Sequence, residues 1–504
     1  MGKGGSVSGK EEPAMFEDAP VNTGATGWPD PMSAAAAVRR MQTKLHRWAA
    51  EDVCRRFGDL FNLVYDPAFL VHAWQRVASN AGARTPGVDR ATVARIESTV
   101  GVQAFLGQLR DSLKSGEFTP VEVRQVLIPK ARGKLRALGI PTVADRVVQA
   151  ALKAVLEPIF EADFLPCSYG FRPNRRAQDA IAEIHFLATH GYEWVLEADI
   201  QACFDSIEHT PLLDRMRRRI SDRRVLALVK AFLKSGVMTQ TGDREQALTG
   251  TPQGGILSPL LANIALSALD EHFDRFRRQE MGTGDRRAAR RRKGLGNWRL
   301  VRYADDFVVM VSGQRPHAEA RRAEVAAVLA PLGLRLAPEK TRVVSIDEGF
   351  DFLGFGIRRR PKRGTQKTSV HTVPSTKAVQ AIKDKVSRRT YRSTRQQSLA
   401  EVLTGLNLML RGWATYFRHG VSARVFHLLD DHAWRRLVGW IRAKHSRIGM
   451  RELRRRFCDR GWRIAHEGVV FTGASSVAVT RYRYRGSTIP TPWTPNPAAA
   501  AAAA

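Results

Sequence analysis

A mixed α/β body followed by a helical, strongly basic portion is the architecture this 504-residue sequence predicts. Between about Val121 and Ile357 short apolar runs of β type alternate with helical ones. Beyond Phe350 apolar stripes recur at helical spacing. Charge is also lopsided, because residues 351 to 490 hold 30 Lys and Arg against 8 Asp and Glu, +22 of a total of +31. At 43% hydrophobic the chain is long enough for about three domains with cores, and a wholly disordered polymer is excluded. Such an excess of positive charge needs a polyanion, and nucleic acid is the partner it implies.

Residues 1 to about 37 are rich in Gly, Pro, Ala and Ser and read as an extension outside any core. The opening Met-Gly-Lys-Gly-Gly-Ser matches a short myristoylation pattern and reads as chance in a Gly-rich leader. From Leu45 the pattern is helical, with Leu45, Trp48, Ala49, Val53 and Phe57 stepping by three and four. The segment Arg286 to Lys293, RRAARRRK, has no core-forming pattern and is expected to be an exposed loop, solvated or else in contact with phosphate. Leu406, Met409, Leu410, Trp413 and Phe417 form one helical stripe, and Trp434, Leu437, Val438 and Ile441 a second. Both are assigned to bundle packing, which leaves the intervening arginines for phosphate. Arg451 to Pro497, with Tyr482, Tyr484, Ile489 and Trp493 among arginines and prolines, reads as a small appended binding module. The last seven alanines fit no element.

Cys54, Cys167, Cys203 and Cys458 include no C-x-x-C pair, so neither a disulfide framework nor a cysteine zinc site is expected and a reducing, intracellular setting fits. No run of about 18 apolar residues and no cleavable leader is recognised, so neither a membrane span nor export is expected.

Leu300 to Val311 reads as two apolar strands meeting at a turn that carries Asp305 and Asp306. Taken alone, Asp in a turn is more often turn chemistry. Trp194 to Ile200 adds a buried strand with Asp199 near its end, and a strand-end carboxylate beside the Asp305-Asp306 turn makes a hard oxygen cluster suited to Mg²⁺. Two such ions, about 3.5–4 Å apart, would activate a 3′-hydroxyl and stabilise leaving pyrophosphate, which is polymerase chemistry. The bland reading of Asp199 is a capping carboxylate; for Asp205 and Glu208, ordinary helix-start acids are preferred. In Thr251 to Ile264 a Gly-Gly turn precedes a helix with Ser258 as N-cap and Pro259 at its first position. That turn is most often structural, or else lets backbone approach a nucleotide. Val126 to Arg136 reads as a basic hairpin around Gly133, solvated or clamping a triphosphate.

These segments, in this order, resemble the reverse transcriptase of group II introns, the intron-encoded protein that also serves as splicing maturase. The likeness runs from about residue 45 to 497. It rests on IPKARGKLRALGIPTVADRVVQ (Ile128 to Gln149), SYGFRPNRRAQDA (Ser168 to Ala180), TPQGGILSPLLANIAL (Thr251 to Leu266), RYADD (Arg302 to Asp306), FLGF (Phe352 to Phe355) and LRGWATYFRHG (Leu410 to Gly420).

The resemblance implies a right-hand polymerase. Its divisions would be a flexible extension at 1–44, an N-terminal fingers extension at 45–118, fingers and palm at 119–365, a helical thumb or maturase X domain at 366–450, a basic DNA-binding-like region at 451–497 and an alanine tail at 498–504. Asp199, Asp305 and Asp306 would be the catalytic carboxylates holding two Mg²⁺ ions. Lys130 and Arg136 would meet the incoming triphosphate, Phe204 would stand against the ribose 2′-hydroxyl, and Gln253 would line the nucleotide pocket. Thr85-Pro86-Gly87-Val88-Asp89 resembles the start of the fingers extension.

The implied partners are group II intron RNA, target DNA and dNTPs, in a bacterial cytoplasm or nucleoid and with no membrane. Relatives often read RPLGIP where this chain has Arg136-Ala137-Leu138-Gly139-Ile140-Pro141, a change not expected to abolish catalysis. Nothing after Arg485 resembles the histidine- and cysteine-containing nuclease of some relatives, so no second-strand cleavage is expected. The implied function is RNA-directed DNA synthesis with maturase activity during intron mobility. The rivals are a splicing cofactor using the fold only as an RNA scaffold, and a domesticated host reverse transcriptase. Three mutually repelling acids have no purpose in a pure scaffold.

Overall fold

The computed structural model describes residues 27–129, 135–239, 243–245, 249–251, 254–362, 364–446, 448–486 and 488–494. Its first helix, α1 (Pro31–Glu51), starts well before Leu45, because Asp30 accepts from the Met32 and Ser33 amides and Pro31 fits the first turn. Ala34 and Val38 are buried, so part of the expected flexible extension is packed helix. The helix also stops short of the expected stripe. Val53 lies outside it and is 74% exposed, while Phe57 is buried through a bridge to Ile220. The short α2 (Phe61–Val64), then α3 (Pro67–Ala78), α4 (Val93–Thr99) and α5 (Val102–Ser115), complete an N-terminal helical layer.

The hairpin β1 (Val123–Pro129) and β2 (Leu135–Ile140) pairs antiparallel with Ile128 opposite Arg136, and its turn lies outside the described residues. Two short strands, β4 (Val237–Met238) and β5 (Arg244–Glu245), extend that sheet. The long helix α6 (Val143–Asp163), capped by Thr142 on the Asp145 amide, packs against α1 and α3.

The central sheet has the order β6-β7-β3-β8: β6 (Asn297–Tyr303), β7 (Asp306–Ser312), β3 (Trp194–Asp199) and β8 (Arg342–Ser345), all antiparallel. Alternation along these strands feeds two cores. Leu196, Ala198, Leu300, Phe307, Val309 and Val311 join one; Val195, Val301, Val308, Met310 and Val344 join the other. The first core is closed by α6, α8 (Cys203–Ser206), α9 (His209–Arg217), α10 (Arg223–Lys234), α11 (Ser258–Glu280) and α13 (Arg315–Leu329). The second is closed by α7 (Ala177–Thr189) and by the chain beyond residue 350.

RRAARRRK is not a loop. It forms most of α12 (Gly284–Arg292), capped by the Thr283 hydroxyl on the Arg286 amide, with Arg287 donating to the Met281 carbonyl and Arg290 paired with Glu280. No α12 residue is buried, so the helix carries no apolar signature.

A three-stranded sheet, β9 (Phe350–Phe352), β10 (Phe355–Pro361) and β11 (Thr368–Pro374), leads into α14 (Thr376–Arg389), α15 (Leu399–Phe417) and α16 (Ala423–Lys444). Ser398 and Glu401 form a capping box on α15. Leu406, Leu410, Phe417, Leu437, Val438 and Ile441 are buried as their stripes predict, with Met409, Trp413 and Trp434 half-buried against them. Beyond α17 (Met450–Phe457) a small sheet of β12 (Cys458–Asp459), β13 (Arg463–His466) and β14 (Val469–Val470) follows.

The final segment then runs back across the molecule as a strap. Tyr482 and Arg485 bond Asp179 of α7, and the Tyr484 hydroxyl donates to Glu183 with its ring stacked on Phe186. Trp493 Nε1 donates to Gln42 of α1. Tyr482, Tyr484, Ile489 and Trp493 are thus engaged within the chain. Among the described residues no helix is long and apolar enough to cross a membrane.

Candidate active site

The turn between β6 and β7 contains only Ala304 and Asp305, and Ala304 has φ +57°, as a two-residue hairpin loop demands of at least one of its residues. That strained turn rests on Arg302, which is completely buried. Its guanidinium makes a bidentate pair with the equally buried Asp270 of α11, at 2.8 and 2.5 Å, and donates to Asn263 Oδ1 at 2.9 Å and to the Ala304 carbonyl at 3.0 Å. Asn263 in turn donates to the Gly170 carbonyl at 2.9 Å. A Cβ at Gly170 would stand 2.3 Å from the Ala304 nitrogen, so only glycine lets this segment lie against the turn.

Asp199 ends β3 and is the ladder partner of Asp306, the first residue of β7. Cross-strand neighbours on one face stand about 4.5–5.5 Å apart at Cβ. Asp199, Asp305 and Asp306 line one cleft of about 870 Å³ together with Arg136, Lys340, Tyr303 and Phe171. Arg136 lines the same cleft, and its charge counters part of the upward shift of the Asp305 carboxyl. Phe204 stands in α8, half-buried against the first core, and is not among the cleft-lining residues. Lys130 and Gln253 lie outside the described residues. Asp205 falls in the first turn of α8 and Glu208 at the cap position of α9, both helix-start acids.

Burial, then the Asp199 charge, hold Asp305 above the usual carboxylate range. Asp306 is pushed up to about 6 by burial and by the charges of Asp305 and Asp199. Lys340 opposes this repulsion by pairing with Asp199, and its own pKa rises through that bond. The segment that carries it is tied to the β3 end: Ala337 donates to the Asp199 carbonyl at 2.8 Å, and the Gln201 amide to the Arg335 carbonyl at 2.9 Å.

The donors are hard carboxylate oxygens under mutual repulsion with a cation already drawn to one of them, a set whose chemistry fits a hard divalent ion. Among the described residues no trio of His, Cys, Asp or Glu closes into a metal-holding group, and the Asp199 carboxylate is turned to the Lys340 ammonium instead.

Sequence reasoning missed several groups that build the site. Lys340 lies in a stretch without strand or helix pattern. Ser258 is the first helical residue of α11, with Leu257 at the cap position. The chain entering that helix is held by Gln149 of α6, whose Oε1 accepts from the Ile256 amide at 2.8 Å. The close approach permitted by Gly254 (φ +115°) is to the Gly139 carbonyl of the basic hairpin, 2.6 Å from a Cβ built there. The segment at Thr85 to Asp89 packs at the foot of the same hairpin, with Arg124 donating to the Pro86 carbonyl and Arg146 to that of Thr85.

Removing one partner of the buried pair leaves an uncompensated charge, so Asp270→Asn is expected to lower unfolding free energy by about 3–5 kcal/mol in urea titrations. Asp306 predicts the opposite sign. A carboxylate whose folded pKa is raised contributes stability that is lost as pH climbs from about 4 through about 6. In chelator, Asp306→Asn should therefore melt above wild type at pH 7.5, with the gap closing by pH 4. Scanning calorimetry at both pH values checks this.

The chain matches the family described as reverse transcriptase (RNA-dependent DNA polymerase) over residues 128–357, and the group II intron, maturase-specific domain over residues 379–461. Protein YkfC of Escherichia coli (strain K12) is 38% identical over 359 residues, covering 68% of this chain and 93% of that protein. Group II intron-encoded protein LtrA of Lactococcus lactis subsp. cremoris is 30% identical over 371 residues, 65% of this chain and 61% of LtrA, so the chain spans about three-fifths of that relative. An uncharacterized 91 kDa protein in the cob intron of Schizosaccharomyces pombe is 30% identical over 61% of this chain and 43% of its own length. Among solved structures, a telomerase from Candida albicans aligns with a TM-score of 0.35 and 14% identity over 68% of this chain and 63% of that one. With both domains matched in chain order and nearly the whole of one relative spanned, the chain belongs to the family of group II intron-encoded reverse transcriptases that carry a maturase domain.

Proposed function

We propose that this protein copies group II intron RNA into DNA during intron mobility, primed at a target DNA, and that it binds the same RNA to promote splicing. The observation that carries the reading is the gathering of Asp199, Asp305 and Asp306 with Arg136 and Lys340 in one cleft, in a chain of net charge +31. Asp199, Asp305 and Asp306 are the residues that would hold two Mg²⁺ ions, which supply the charge that activates a primer 3′-hydroxyl and neutralises leaving pyrophosphate.

The chain's own groups do the rest. Arg136 would balance the charge of the triphosphate, because a guanidinium lining the carboxylate cleft supplies positive charge where phosphates would gather, and by resemblance Lys130 would join it. By resemblance to the family, Phe204 would stand against a ribose 2′-hydroxyl and Gln253 would belong to the nucleotide pocket, although Phe204 is not among the residues lining the carboxylate cleft and Gln253 lies outside the described residues. Lys340 neutralises Asp199 while no ion is bound, which keeps three crowded carboxylates compatible with a folded turn. Within this reading residues 119–365 are fingers and palm and residues 366–450 the thumb, whose exposed arginines meet RNA phosphates.

In primer extension on an RNA template with Mg²⁺ and dNTPs, Asp305→Ala should lose about 10²–10³-fold or more in rate. RNA affinity of the same variant should stay within about two-fold, because affinity comes from backbone phosphates. Splicing of the cognate intron should persist with it; an unimpaired extension rate would overturn the site assignment. If six to ten phosphates are contacted, binding should weaken by about 10³–10⁵ between 50 and 200 mM salt. A flat dependence in filter binding would contradict the proposed basic interface.

A further inference from the structure

Phe171 stands out among the aromatics of this chain. It is a bulky residue with φ +56° and is 53% exposed. Left-handed backbone at such a residue persists only where its surroundings over-determine it. Both neighbours do so. Gly170 is pressed against the Ala304 backbone, and Arg172 is buried with its guanidinium on Glu161 and on the carbonyls of Phe164, Leu165 and Ser168. The chain is thus locked on each side of a ring left facing solvent.

Phe171 also lines two concavities. One is the carboxylate cleft. The other, of about 400 Å³, is lined by Arg39 of α1, Arg76 of α3, Lys153 of α6 and Trp493 of the strap. Its charges are not all equivalent. Lys153 pairs with Glu157 at 3.4 Å and Arg172 with Glu161 at 2.7 Å. Among the described residues Arg39 and Arg76 have no carboxylate partner; Arg39 donates to the Pro492 carbonyl and keeps its charge. Two uncompensated guanidinium groups on one side, three acids on the other and an exposed ring between them match what single-stranded nucleic acid requires: cations that track the backbone and an aromatic face for an unpaired base.

We infer that Phe171 is a stacking platform for the first unpaired base of the template RNA, whose backbone enters past Arg39 and Arg76. This rests on the polymerase reading of the cleft, and it makes Phe171 a positioning residue. It explains why an apolar ring is held in the open at a conformational cost: the template base must be presented flat and at a fixed height before it can pair with an incoming nucleotide.

The test uses the full-length protein and a primer annealed to template RNA bearing 2-aminopurine riboside at the first unpaired position. No nucleotide triphosphate is added, so the readout is independent of the chemistry and of whether Asp305→Ala abolishes extension. Wild type, Phe171→Tyr and Phe171→Trp should quench the probe. Phe171→Ala and Phe171→Leu should not, and should bind the overhanging duplex about ten-fold more weakly while a blunt duplex is bound as before. Arg39→Ala with Arg76→Ala should weaken overhang binding and lower its salt slope by about 1.4, as two lost contacts to a single strand would.

Because the ring is exposed, thermal midpoints of the Phe171 variants should match wild type, which separates stacking from loss of fold. Full quenching and unchanged overhang affinity in Phe171→Ala would overturn the inference. So would an equal loss on blunt and overhanging duplexes.

Discussion

The buried pair of Arg302 and Asp270 is the interaction on which the turn carrying Asp305 and Asp306 depends. A guanidinium with no solvent contact must satisfy its donors internally, and here it does so on one carboxylate, one amide oxygen and one backbone carbonyl. Those partners come from α11 and from the turn itself, so the same charge that must be neutralised also fixes where Asp305 points from. Asn263 passes the constraint on to Gly170, and Gly170 to the locked segment around Arg172. Helix, turn and neighbouring loop are therefore set by a single desolvated cation.

Around it, the central sheet separates two hydrophobic bodies, and the acids sit at the edge where β3 ends and β7 begins. This placement reconciles opposing demands. The strand interiors are mostly apolar, the charges within them, Arg302, Arg299 and Glu197, each having an ion-pair partner, while the strand ends are free to carry carboxylates into an open cleft. The elevated pKa of Asp306 records the cost of crowding those acids, and Lys340 offsets part of it.

Much of this was legible in the sequence, and the reasons differ by residue. That Asp199, Asp305 and Asp306 share one cleft was legible because each lies at the end of an apolar strand run, a local pattern. The stripes at Leu406 and Leu437 were found because helical period and burial coincide. Lys340, Asp270 and Gln149 were not, since each acts on a segment between 32 and 141 residues away and nothing in its own neighbourhood marks the contact. The helix α12 escaped notice because it buries no residue and is held by its Thr283 cap and arginine tethers, features without periodicity. Tyr482, Tyr484 and Trp493 looked like the apparatus of a binding module because exposed-seeming aromatics among arginines resemble one. Their true complements, Asp179, Glu183 and Gln42, sit some 300 to 450 positions earlier.

The strap's distance from its partners has a bearing on how the molecule comes into being. During synthesis α1 and α7 leave the ribosome hundreds of residues before the segment that covers them, so their seat for Tyr484 and Trp493 stays bare while the rest of the hand collapses. Joining such remote stretches is slow relative to local helix formation. Docking of the strap is accordingly a closing event in biogenesis, and a nascent chain stalled short of it would expose apolar surface to chaperones.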